Sequence, residues 1–178
     1  MKQLYSKDYI ARQVSRLGSE ISQDYQNEEI LLVIVLKGAV VFAADLARQI
    51  TCPLAMDFIC VSSYGGQTTS TGKITFKKDL DTDIQGKHVI VVEDIIDTGL
   101  TLQVLTQHLQ LRKPASLKIC SLISKQKHRK TSTKVDYCGI TMDDGFIIGY
   151  GLDYNELYRN LDAIYTFDPS QQLAQGDA

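Results

Sequence analysis

Val89-Ile90-Val91-Val92-Glu93-Asp94-Ile95-Ile96-Asp97-Thr98-Gly99-Leu100-Thr101-Leu102 is the stretch on which the reading of this chain turns. Residues 88–92 are nearly all apolar, as in a strand covered on both faces. The strand is expected to end in two adjacent carboxylates, Glu93 and Asp94. Residues 97–101 then supply hydroxyls and one glycine, and Leu102, Leu105 and Leu109 follow at helical spacing before Pro114. Such a strand, turn and helix make a phosphate cradle. Gly99 permits an unusual backbone angle, and the first N–H groups of the helix have no partner within it. The positive end of the helix dipole, with the Thr98 and Thr101 hydroxyls, can hold a phosphate monoester without a lysine. The turn is not a Walker loop, because G-x-x-x-x-G-K-[ST] is absent. Two anions beside a phosphate would repel it unless the ligand also offers ribose hydroxyls and a hydrated Mg2+, both of which suit carboxylate oxygens.

Upstream, Ile10, Val14, Leu17 and Ile21 mark one apolar stripe of a helix with Ser6 as its N-cap. Residues 30–36 predict a strand, Lys37-Gly38 a tight turn, and 39–50 a second helix. Residues 54–61 read as a strand that runs into the polar stretch 62–72, where a mobile surface loop is expected. Residues 74–77, 117–123, 146–150 and 163–167 are further strand candidates, and 169–178 is expected to fray. Strands alternating with helices predict an α/β fold: one twisted, mainly parallel sheet with helices on both faces. In such sheets ligands bind beyond the carboxyl ends of the strands, here just after Leu36, Val61, Val92 and Ile123.

The 178 residues suit a single domain, able to bury roughly 70% of its unfolded surface. A net charge of −2 leaves no basic footprint for nucleic acid, and the basic run 125–134 reads by charge alone as a solvated loop. No apolar run is long enough for a membrane helix, and no signal sequence opens the chain. Cys52, Cys60, Cys120 and Cys138 are widely spaced, which predicts reduced thiols and a cytoplasmic setting. His88, His108 and His128 lack the spacing of a helical zinc site.

The string from Val92 to Thr101 resembles the phosphoribosyl-pyrophosphate motif of type I phosphoribosyltransferases, especially the hypoxanthine (guanine) branch. The resemblance runs through four separated motifs over roughly residues 31–168. It implies the fold of that family, with a small hood region over the base. It also implies Mg2+ as cofactor, phosphoribosyl pyrophosphate and a 6-oxopurine as substrates, and a homodimer or homotetramer.

Leu36-Lys37-Gly38 is similar to the family's pyrophosphate loop, in which a strained, often cis, peptide turns an N–H toward the leaving group; otherwise it is a turn closing a β-α unit. Ser63, Tyr64 and the loop behind them look like the family's catalytic lid, or a plain hairpin tip. Lys125 is similar in position to the lysine that donates to the exocyclic oxygen of a 6-oxopurine. Phe146-Ile147 resembles the pair that stacks on the ring and reads its edge; without the resemblance Phe146 would be core. Residues 149–159 resemble the closing motif, with Asp153 on the metal and Arg159 near pyrophosphate, where charge alone suggests an exposed pair on a turn.

The resemblance thus implies Asp97 as general acid/base, and Glu93, Asp94 and Asp153 facing Mg2+. Lys37, Gly38, Ser63, Tyr64, Thr98, Gly99, Leu100, Thr101, Lys125, Phe146, Ile147 and Arg159, with Glu93, Asp94 and Asp97, would line the substrates. Leu100 stands where some members carry lysine, and the loop after Lys125 is individual to this chain, so base preference and phosphate-loop geometry stay open. A transferase for xanthine or uracil, and a non-catalytic nucleotide-binding regulator of the same fold, are the alternatives.

Overall fold

In the computed structural model, which describes residues 1–63 and 74–168, the chain opens with β1 (Lys2–Tyr5), α1 (Lys7–Tyr25), β2 (Ile30–Leu36) and α2 (Val40–Gln49). It continues through β3 (Leu54–Ser63), β4 (Ile74–Lys78), β5 (His88–Ile96) and α3 (Leu100–Gln110). β6 (Ser116–Lys125), β7 (Tyr137–Met142), β8 (Ile147–Ile148) and β9 (Ile164–Thr166) close it. The main sheet has the order β4-β3-β2-β5-β6-β7. Its pairings are parallel except that of β3 with β4.

β2 is apolar at every position because it is covered on both sides. Ile30, Leu32 and Ile34 face a core shared with Ile10, Leu17 and Phe42, whereas Leu31, Val33 and Val35 pack with Leu102, Leu105 and Leu109. α1 and α2 therefore cover one face and α3 the other. The α1 stripe is the expected one, and Ser6 caps the helix, its hydroxyl accepting from the Tyr9 N–H at 3.2 Å. None of the described helices is long and apolar enough to cross a membrane, and all four cysteines are free.

Three differences from the sequence reading bear on the site. β5 does not stop at the carboxylates: it continues to Ile96, so Glu93 and Asp94 are strand residues within the sheet. Lys125 is the buried last residue of β6, not the start of a solvated loop, because the strand extends two residues past Ile123. The expected strand at 146–150 shrinks to Ile147–Ile148, since Tyr150 has a φ of 51° that extended backbone excludes. β1 and β7 had no sequence expectation. Lys2 to Tyr5 is too short and exposed to show a pattern, and becomes a strand only by pairing with β9. β1, β9 and β8 form a separate antiparallel sheet, the small hood beside the main one. Tyr64, most of the expected lid, and the expected frayed tail lie outside the described residues; Ser63 and Ile74 on either side of the lid are paired.

Candidate active site

β2 and β5 are neighbours, but their crossovers diverge: β2 leads through α2 to β3, and β5 through α3 to β6. The strand order reverses there, and a crevice opens at the carboxyl ends. Lys37 and Gly38 stand on one side of it. The Leu36–Lys37 peptide is cis. A Cβ on Gly38 would coincide with the Asp94 carboxylate, so glycine is what lets the two segments close up.

Asp94 is buried, at 8% exposure, and its Oδ1 accepts from the Ile95 N–H at 2.8 Å. Burial pushes its pKa up to about 6 against the backbone hydrogen bonds and the charge of Arg159, and the carboxylate of Asp153 adds to the push. Glu93 is raised well above the ordinary carboxylate range by burial first and by Asp94 second. A pair of acids held this way is short of positive charge.

The turn after β5 has the expected form. Gly99 is left-handed, with φ 80°, and as N-cap brings no side chain to α3; Thr98 Oγ1 accepts from the Leu100 N–H at 3.4 Å, and the N–H groups that follow it in the first turn face the ligand side. A cleft of about 170 Å³ lies there, lined by Glu93, Asp97, Thr98, Gly99 and Thr101 among others. Lys125 reaches the same place from β6, its Nζ 3.3 Å from Asp97 Oδ2, while Asp97 Oδ1 is buried without a hydrogen-bond partner among the described residues. Lys125 also pairs with Met142, and the short link from β7 to β8 then presents Phe146. Phe146 is 45% exposed and meets Tyr154 edge-on at 5.8 Å, so it is not a core side chain; Ile147 is buried in the hood.

Asp153 and Arg159 are joined at 2.9 Å (Oδ1 to Nη2), and a second guanidinium nitrogen of Arg159 donates to Gly151 O at 2.7 Å. Glu156 had no role in the sequence reading, yet its Oε2 bridges Lys37 at 3.0 Å and Arg159 at 3.4 Å, two cations far apart in the chain. The hydrogen bond from Lys37, and after it the Lys37 charge, lower its pKa. Its spacing of three from both Asp153 and Arg159 was the signal available. Tyr150, Asn155, Glu156 and Tyr158 all have positive φ, unusual for side-chain-bearing residues and a mark of a tightly constrained functional segment.

Among the described residues no three His, Cys, Asp or Glu side chains form a metal cage. Glu93, Asp94 and Asp153 are oxygen donors, the type that suits a Mg2+-like ion, which takes only one or two carboxylates and completes its shell with ligand phosphates and water. A larger cavity of about 480 Å³ lies between α1, α2 and residues 150–162. Of the expected site residues it is lined only by Arg159, so its size does not make it the centre of the chemistry.

The phosphoribosyl transferase domain profile matches residues 1–155. The chain is 45% identical over 169 residues to a hypoxanthine-guanine phosphoribosyltransferase of Bacillus subtilis, covering 95% of this chain and 94% of that one. It is 46% identical over 162 residues to a hypoxanthine-guanine-xanthine phosphoribosyltransferase of Tritrichomonas foetus, covering 90% and 88%. A crystal structure of a hypoxanthine-guanine phosphoribosyltransferase from Bacillus anthracis superposes with a TM-score of 0.91 at 46% identity, over 94% of this chain and 99% of that one. Sequence, fold and crevice agree, and the chain belongs to the phosphoribosyl transferase family.

Proposed function

We propose that the protein transfers the 5-phosphoribosyl group of phosphoribosyl pyrophosphate to hypoxanthine, and to guanine, giving IMP or GMP and pyrophosphate in purine salvage. The observation that carries this reading is the Lys125–Asp97 pair, 3.3 Å apart at the lip of the phosphate turn. A donor for an exocyclic oxygen and a carboxylate for a ring proton stand side by side there. The named relatives support the same base class.

In this reading the turn 97–101 holds the 5′-phosphate on backbone N–H groups and the Thr98 and Thr101 hydroxyls, with Gly99 and Leu100 shaping it. Lys125 donates to the 6-oxo group, Phe146 stacks on the ring, and Ile147 offers backbone groups to its edge; such stacking contributes about 1–3 kcal/mol. The C1–O bond to pyrophosphate breaks through an oxocarbenium-like state as the bond from C1 to the ring nitrogen forms. The ring proton passes to the Asp97 carboxylate, and the electron pair leaves on pyrophosphate. Lys37, the N–H at Gly38 and Arg159 face that leaving group, and Glu156 gives up its two cations to it. Glu93, Asp94 and Asp153 are the residues to hold Mg2+ and the ribose hydroxyls, and the ion when bound supplies positive charge to the phosphate oxygens. Ser63 and Tyr64 belong to the lid in the same reading. A homodimer or homotetramer, and a cytoplasmic setting consistent with four free thiols, complete it.

The test is incubation with phosphoribosyl pyrophosphate, Mg2+ and, separately, hypoxanthine, guanine, xanthine, adenine and uracil. Nucleotide from hypoxanthine or guanine, abolished by EDTA, is expected. Turnover of xanthine as well would match the Tritrichomonas relative's breadth. Silence with every base, despite binding of phosphoribosyl pyrophosphate, would overturn the catalytic reading in favour of a nucleotide-binding regulator.

A further inference from the structure

Four buried side-chain polar atoms have no hydrogen-bond partner among the described residues, and three of them, Asp97 Oδ1, Arg129 Nη1 and Thr131 Oγ1, lie in or against the phosphate turn. An unsatisfied buried donor is costly, and a charged one more so, unless something arrives to meet it.

Arg129 and Thr131 come from the link between β6 and β7, which does not simply project into solvent. The Lys130 N–H donates to Thr98 O at 2.9 Å, fastening the link to the turn. A Cβ on Gly99 would collide with Thr131 Oγ1 and stand 3.3 Å from Arg129 Nη1, so both side chains press on the back of that glycine. The other terminal nitrogen of Arg129 donates to Ser124 Oγ at 2.6 Å and to Lys125 O at 3.3 Å. One guanidinium therefore spans the strand end that carries Lys125 and the turn that carries Gly99. The turn 97–101 contains no lysine or arginine of its own, and Glu93, Asp94 and Asp97 crowd it with acids.

We propose that Arg129, with Thr131 beside it, is a positioning residue for the 5′-phosphate. Its guanidinium braces the turn from behind and sets against it a positive charge that no carboxylate pairs among the described residues, so that a phosphate dianion meets a favourable field and a preformed loop. The same fork is anchored on Ser124 and on the Lys125 backbone, which the pairing of β6 with β7 holds in place independently of Arg129. The proposal rests on the reading that the turn takes the 5′-phosphate of a phosphoribosyl ligand.

The test compares the wild type with R129Q, R129K and T131V, measuring calorimetric affinity for IMP and the separate KM values for phosphoribosyl pyrophosphate and hypoxanthine. For R129Q, IMP affinity and the KM for phosphoribosyl pyrophosphate are expected to worsen about tenfold, the scale of one charge-assisted contact. The KM for hypoxanthine should stay within about twofold, and R129K should recover at least half of the loss on a logarithmic scale. Thermal melting verifies that each variant is folded; should R129Q not fold, T131V carries the test with about a threefold loss of IMP affinity expected. Equal losses for both substrates, or undiminished IMP affinity in the folded variants, overturn the proposal alone. A wild type that neither binds IMP nor uses phosphoribosyl pyrophosphate removes the functional reading, and the proposal with it.

Discussion

Asp97 divides its two carboxylate oxygens: Oδ2 holds Lys125 at 3.3 Å, and Oδ1 is buried with no hydrogen-bond partner among the described residues. A base that removes a ring proton needs such an oxygen. Asp97→Asn keeps the shape and loses the basicity, so kcat should fall roughly 10²- to 10⁴-fold while IMP affinity changes far less. Steady-state kinetics with IMP titration checks this, and equal losses would make Asp97 a ligand holder instead. A second residue-scale consequence concerns pH. Asp94 is raised to about 6, and an unfolded Asp titrates near 4. Between those values the folded protein binds the proton more tightly, so the stabilisation from this group is full below about pH 4 and is lost as pH rises through about 6. Metal-free wild type should therefore lose on the order of 2 kcal/mol relative to Asp94→Asn between pH 4 and pH 8, read from urea melts at each pH. A pH-independent difference would show that Asp94 is not held protonated in the metal-free state.

The element scale shows how two helix N-termini serve different ends. α1 is closed by the Ser6 hydroxyl, whereas α3 starts from a left-handed glycine with no side-chain cap. A capped end is finished locally, whereas at α3 Thr98 Oγ1 meets only the Leu100 N–H, at a long 3.4 Å, and the N–H groups after it suit an anion. Ser6→Ala should cost about 1 kcal/mol in chemical denaturation and leave IMP affinity unchanged. α3 is also tied at its far end, where His108 Nε2 sits 2.8 Å from Asp79 Oδ2 and Arg112 Nη1 3.3 Å from Asp79 Oδ1. Phe76 of β4 lies against the His108 ring at 4.3 Å between centroids. The arm that returns from the lid region thus rests on the helix that begins at the phosphate turn.

At the scale of the whole molecule the sheet divides two cores. Phe42 and Leu105, both fully buried, belong one to each. Phe42→Ala should cost about 3–5 kcal/mol and Leu105→Ala about 2–5 kcal/mol. Because the sheet separates them, the double variant should be additive within about 0.5 kcal/mol in urea melts, if both singles remain folded. A larger coupling would mean that the sheet transmits strain from one face to the other. The hood adds a different kind of linkage: β1 near the start of the chain pairs with β9 near residue 166, and β9 with β8 beside Phe146, so the platform proposed for the base depends on residues 164 positions apart, as in the Lys2↔Thr166 pair.

Local periodicity by itself determined α1, β2 and the β5–turn–α3 unit, because each repeats every two or 3.6 residues, or runs apolar where both faces are covered. The turn proposed to take the phosphate was legible for a similar reason: its backbone N–H groups and hydroxyls fall within five consecutive residues, 97–101. Only the tertiary structure decided that β1 and β7 are strands, since a short or weakly patterned segment becomes one when a partner supplies its hydrogen bonds. Tertiary structure likewise turned a basic stretch into buried Lys125 and a bracing Arg129, and placed Glu156 between Lys37 and Arg159. Charge pairing depends on distances of a few ångströms between residues remote in the chain, and one-dimensional spacing carries no record of them.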